Sequence, residues 1–170
     1  MTTMRAGLER FGPVYARLAL GAAFLSAVAS RFGIWDGEPG LSRFPGFIQY
    51  TAEVNAFMPA AVVPFLAWAA TVAETSLGVA LITGLGLRWV ALASAALLAV
   101  FGSAMAISLG PKSPLDYSVF SASAGALLLA LHEWRVPEDR REVRRLRQAW
   151  RALPRLRRVQ GVATGVIGLY

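Results

Sequence analysis

The sequence predicts an all-α membrane protein: a four-helix transmembrane bundle with an outer interfacial helix and a basic amphipathic tail helix in the cytoplasm. Three observations lead there. Of 170 residues, 56% are hydrophobic and the mean hydropathy is +0.51. Only 16% are charged, against about 25% in a soluble domain. Ten of the 17 Lys and Arg residues, all ten arginine, crowd between Arg135 and Arg158, the pattern of a membrane protein with a basic cytoplasmic tail.

A helix crossing the hydrocarbon needs about 20 residues at about 1.5 Å each. Four apolar segments meet that length, at about 13–32, 64–84, 89–110 and 117–134. Residues 1–134 therefore form a membrane bundle and 135–170 a tail. "LGLR" (Leu85 to Arg88) is a tight glycine turn, and "GPKSPLD" (Gly110 to Asp116) is a proline-broken one. In that turn Asp116, beside Lys112, is a candidate N-cap for segment four. The long connection opens with the irregular "IWDGEPG". It then places Phe47, Tyr50, Val54, Phe57 and Met58 at helical spacing, which suits a short amphipathic helix lying on the membrane surface; an ordinary loop packed on the bundle competes with it.

In the tail, Pro137 followed by two acids reads as a helix start. Val143, Leu146, Trp150 and Leu153 form one stripe, flanked by Arg140, Arg141, Arg144, Arg145, Arg147 and Arg151. Such a helix suits anionic lipid headgroups, and tethering beside a bilayer argues against nucleic acid as its partner.

Arg5, Arg10, Arg88 and the tail fall on one side of a four-span layout, so the positive-inside bias puts both termini in the cytoplasm. Trp35, Trp68 and Tyr117 mark the outer boundary, and Trp89 and Trp134 the inner one. A rival is a cleavable leader, from Arg5, Arg10, an apolar run and "AVA" at Ala27 to Ala29; cleavage would leave three spans in the same orientation.

One carboxylate stands inside segment two, Glu74. A charge at the centre of a spanning helix costs about 2.5–3.5 kcal/mol on insertion scales, so Glu74 must be neutral, paired or wet. Ala67, Ala70, Thr71, Glu74 and Gly78 share one face, and small residues mark helix–helix contacts in lipid. Glu74 should therefore face the bundle. Similar small stripes are Ala95, Gly102 and Ser103 in segment three, and Ser118, Ala122 and Gly125 with Ser121 in segment four. Counting rise per residue puts Arg17 nearest to Glu74, and Arg31 second. Both arginines also lie near enough to a boundary to extend toward headgroups, the role expected of Arg31; for Arg17 the two roles stand level. The candidate polar site is thus Glu74, Arg17, Thr71 and Arg31. His132 and Glu133 in "LHEW" form either a proton relay or, more simply, a helix exit into headgroups.

With no cysteine and a single histidine, the chain offers no thiol redox chemistry and no cluster of thiolate or imidazole metal ligands. "ARLALGAAFLSAVASRFGIW", "WAATVAETSLGVALITGLGLRW" and "GPKSPLDYSVFSASAGALLLAL" resemble the DoxX family of small bacterial membrane proteins. The resemblance covers roughly Val14 to Leu131, with Arg17 and Glu74 at the family's charged positions. It implies a four-helix membrane bundle and an accessory or quinone-interacting subunit of a membrane redox system, with quinone as the non-covalent cofactor class and a redox protein as partner. Homo-oligomers are open. Two alternatives stand beside it: a small proton-coupled transporter that uses Glu74, and a non-catalytic scaffold.

Overall fold

The computed structural model describes the backbone of residues 2–152 and the side chains of 7–9 and 11–135. Among the described residues the protein is all helical. In chain order the helices are α1 (Thr2–Arg31), α2 (Phe44–Val54), α3 (Val63–Thr83), α4 (Leu87–Leu109), α5 (Lys112–Asp116) and α6 (Val119–Ala152), with a single 3-10 turn at Ala60–Val62 before α3. The chain divides into two compact units, Met1–Glu133 and Trp134–Tyr170.

Three stretches are long and apolar enough to cross a membrane: Gly7–Arg31, Ala60–Thr83 and Leu87–Leu109. The fourth expected span, 117–134, is not among them. Its helix starts only at Val119, and thirteen residues later the apolar run meets His132 and Glu133, leaving about 20 Å of apolar rod against the roughly 30 Å of a hydrocarbon core. Asp116 does not cap α6. It ends α5 and pairs with Lys112 one turn back, while Ser118, at a φ of 54°, turns the chain into α6.

The first unit is built around α1 and α3. They run antiparallel and touch at Gly21 and Gly78, where a methyl on Gly21 would lie 2.8 Å from Ile82 Cγ1 and 2.9 Å from the Gly78 carbonyl. Without water to drive association, close backbone approach through small residues is what joins helices in lipid. The buried stripe of α3 is Val63, Ala67, Thr71, Glu74, Gly78 and Leu81. This is the small-residue face anticipated for segment two, and Glu74 lies on it.

α4 buries Ala91, Ser94, Ala95, Gly102, Ala104 and Met105; Ser103, expected on that face, is exposed and returns its hydroxyl to the Ala99 carbonyl. α6 runs antiparallel to α4: Ser123 Oγ donates to the Ala95 carbonyl at 2.8 Å, and the Phe120 ring covers Gly102. The face α6 buries is Ala126, Leu129 and Ala130; of the expected stripe Ala122 and Gly125 are half-buried, whereas Ser118, in the turn before the helix, and Ser121 are exposed. From this register α6 begins level with Gly102, roughly 10 Å short of the end of α4.

Two short helices fill that shortfall. α5 buries Pro114. α2 does not simply lie on a surface: it buries Phe44, Thr51 and Val54, and Val54 packs with Ala104, Met105 and Val119. The expected stripe is rotated, since Tyr50, Phe57 and Met58 are exposed and the helix ends before the last two. Thr51 can replace them inside because its hydroxyl donates to the Phe47 carbonyl at 2.7 Å. Partial burial, with Tyr117 and Glu53 nearby, holds the Tyr50 phenol above the ordinary tyrosine value.

In the second unit α6 is continuous to Ala152, so no separate helix starts at Pro137. The side chains of Arg140, Arg141, Arg144, Arg145, Arg147 and Arg151 lie outside the described residues, as do residues 153–170.

The glycine contact is testable. Gly21→Ala should destabilise the purified protein by about 1–3 kcal/mol and lower its thermal midpoint in detergent. Gly125→Ala, with open space where its methyl would go, should leave the midpoint unchanged or raise it slightly.

Candidate functional site

The polar centre of the first unit lies between α1 and α3. Arg31, the last residue of α1, points back along its helix. Its Nη2 donates to both Glu74 oxygens, at 2.7 Å each, and its Nη1 donates to Thr71 Oγ1 at 3.1 Å. Thr71 in turn donates to the Ala67 carbonyl at 2.8 Å. The side chains of Arg31 and Glu74 are 10% and 3% exposed, so this is a buried pair rather than a screened surface one.

An aromatic layer closes the site on the α2 side. The Arg31 guanidinium sits over the Phe47 ring, 3.8 Å from Cζ to centroid, a cation–π contact strengthened by exclusion of water. Phe44 joins Phe47 to Trp68, 4.3 Å away, and to Phe32, 5.8 Å away. The loop after α1 is tied down by Trp35 Nε1, which donates to the Ser26 carbonyl, and by the exposed Arg43–Asp36 pair at 3.0 Å. These contacts fix the end of α1 and so aim Arg31.

Of the four residues proposed from sequence, the structure brings together Glu74, Thr71 and Arg31 and sends Arg17 elsewhere. Arg31 is the partner, not the headgroup anchor expected of it. The physical cause is side-chain direction. Each Cα–Cβ bond tilts toward the N-terminus of its own helix. In an antiparallel pair, Glu74 on α3 therefore leans toward the Arg31 end, whereas Arg17 on α1 leans away, and its Nη1 rests against Gly84 at the end of α3. His132 and Glu133 are half-buried on α6. By the α4–α6 register they lie near the level of Arg88, toward the Arg17 end, and are not brought to Glu74. The aromatic roof departs from the surface-lying face that the sequence suggests for Phe47; its helical spacing to Phe44, Thr51 and Val54 carries the signal for it.

Chemically, the network is closed. The acid, the guanidinium and the hydroxyl satisfy one another, so a ligand entering here has to displace one of them.

A family model described as "Methylamine utilisation protein MauE" matches residues 9–116, well over half of the chain. The chain belongs to the MauE family. The match runs from α1 through α5 and contains Arg17, Arg31, Thr71 and Glu74. It overturns the resemblance to DoxX, a different membrane family, for which no match is found. An arginine in the first span, a Glu–Leu–Gly pattern and a Gly–Pro turn are devices that any small helical membrane bundle can share. No curated protein and no solved structure matches the chain. MauE membership and three membrane-length helices together make this a membrane protein.

The pair can be dissected by a double-mutant cycle. Arg31→Met and Glu74→Leu should each destabilise the protein by about 3–5 kcal/mol, because each leaves one buried group unpaired. The double variant should recover most of that loss in a thermal or denaturant melt. Additive losses would show that the two side chains do not act on each other.

Proposed function

We propose that this MauE-family protein is a membrane-embedded accessory subunit of a redox system serving methylamine utilisation, and that it supplies a rigid intramembrane frame rather than electrons. The observation that carries this is the closed Arg31–Glu74–Thr71 network within the family-matched stretch. An acid already held by two hydrogen bonds from a neighbouring helix is suited to locking α1 against α3. With no cysteine and one histidine in the chain, thiol or multi-ligand metal carriers come from partner proteins. The family description supplies the methylamine context.

The frame role and the transport role separate cleanly in cells. In a methylamine-utilising host lacking its own copy, wild type should restore growth on methylamine as sole nitrogen source, with growth on ammonium unaffected throughout. Glu74→Leu alone should fail. Arg31→Met with Glu74→Leu should restore growth, since the frame needs matched partners and not an acid. If only chains keeping Glu74 work, the carboxylate itself carries protons or substrate and the frame reading falls.

A quinone headgroup is the second reading, favoured by the aromatic layer over a guanidinium–carboxylate pair. The guanidinium would polarise a carbonyl oxygen and the carboxylate would take a quinol proton, once quinone had opened the pair. On that reading the double variant loses bound quinone on purification, and wild type keeps it.

For the topology, we propose that the apolar half of α6 makes a fourth, shorter crossing, with both termini in the cytoplasm of a bacterial cell and the tail arginines on anionic headgroups. Its packing on α4 and the arginine distribution support this. Fluorescent-protein fusions at the N-terminus and after Ala152 should both light up in the cytoplasm, and alkaline phosphatase fusions at either site should stay inactive. The opposite pattern at one end would remove the fourth crossing.

A further inference from the structure

The end of the first unit away from Arg31 holds a second intramembrane cation, and the network around Glu74 does not use it. Arg17 is half-buried, and its Nε is buried with no hydrogen-bond partner. Among the described residues no carboxylate pairs with it. Its Nη1 presses on Gly84, where any added methyl would collide with the guanidinium. Gly84 is also the left-handed cap of α3, at a φ of 78°. Glycine is required here by the backbone, and it leaves the space in which the tip of the Arg17 side chain rests.

The depth of this seat is set by the neighbouring helices. One candidate span ends at Thr83 and the next begins at Leu87. Arg17 thus carries its charge to the level where two apolar rods stop, although its own helix continues past that level. The turn between those rods is exposed at Leu85 and Trp89, and Arg88 places its guanidinium 5.7 Å from the Trp89 ring. The last turn of α3 offers negative dipole ends, which draw a cation to that spot. Its cap carbonyl, on Ala80, already accepts from Gly84 and Leu85. The Arg17 Nε–H is left without an acceptor, and phosphate oxygens are favoured acceptors for a guanidinium.

We infer that Arg17, seated on Gly84 with Arg88 four residues further on, binds the phosphodiester of a membrane phospholipid at the α3–α4 turn. The anion chemistry is that of phosphate. Depth selects the lipid as its source, since the seat lies at a helix boundary beside exposed Leu85 and Trp89, where headgroups reside. Arg17 would then clamp the Gly84 turn from one side and a lipid from the other.

The test uses the full-length protein purified in detergent, titrated with phosphatidylglycerol and read by native mass spectrometry. Arg17→Gln should weaken binding about tenfold, with its helix content unchanged by circular dichroism. The tail arginines are identical in both proteins, so the difference isolates Arg17. Equal phosphatidylglycerol binding by both would overturn the inference, including the case in which Arg17→Gln merely melts earlier. Inorganic phosphate bound as tightly as phosphatidylglycerol would overturn the lipid as its source. Should Arg17→Gln fail to fold, wild type is cross-linked to phosphatidylglycerol carrying a photoreactive headgroup. Adducts on residues 80–90 support the seat, and their absence there rejects it.

Discussion

A charge that cannot reach water must find its opposite inside the protein, and the first unit is arranged around that constraint. Glu74 lies deep on α3, too short to reach a headgroup. Arg31, at the end of α1, is long enough to come to it. For the two to meet, α1 and α3 must run close and antiparallel, and Gly21 against Gly78 provides that closeness. The meeting point must also be sealed, which Phe47 on α2 achieves by covering the guanidinium. One ion pair thus sets the spacing of two long helices and the seat of a third. In a low-dielectric interior such a pair is weak evidence for stability by itself. Its larger effect is to fix register, because sliding α1 by one turn would leave two charges stranded.

The sequence announced the acid more clearly than its partner. A lone carboxylate on a stripe of Ala67, Thr71 and Gly78 can face only protein, and it does. The partner was misjudged because rise per residue gives the height of a Cα and says nothing about lean. Arg17 and Arg31 both lie within reach by height alone. The backward tilt of side chains on antiparallel helices decides between them, and it follows from the sequence as soon as α1 and α3 are antiparallel neighbours. The rotated face of α2 was harder to see. Thr51 looks polar by composition, and only its bond to the Phe47 carbonyl allows it inside.

The fourth helix was legible in kind but not in extent. An apolar run followed by His132 and Glu133 resembles a span with an exit, yet the helix opens at Val119 and its buried face is Ala126, Leu129 and Ala130. Local turn chemistry set the start: Pro114 is buried in α5 and Ser118 takes a left-handed conformation. Family identity was the least legible level. Patterns made of one arginine, one glutamate and a glycine turn follow from the bilayer itself, so they specify a way of folding in lipid far better than they specify kinship.

The late start of α6 has a consequence for the solvent as well as for the protein. The spans in α1, α3 and α4 are rods of 23 to 25 residues, whereas the apolar run of α6 is only about half as tall. On the proposed fourth crossing, mismatch at fractions of a kcal/mol per Å would make the bilayer thinnest beside α6.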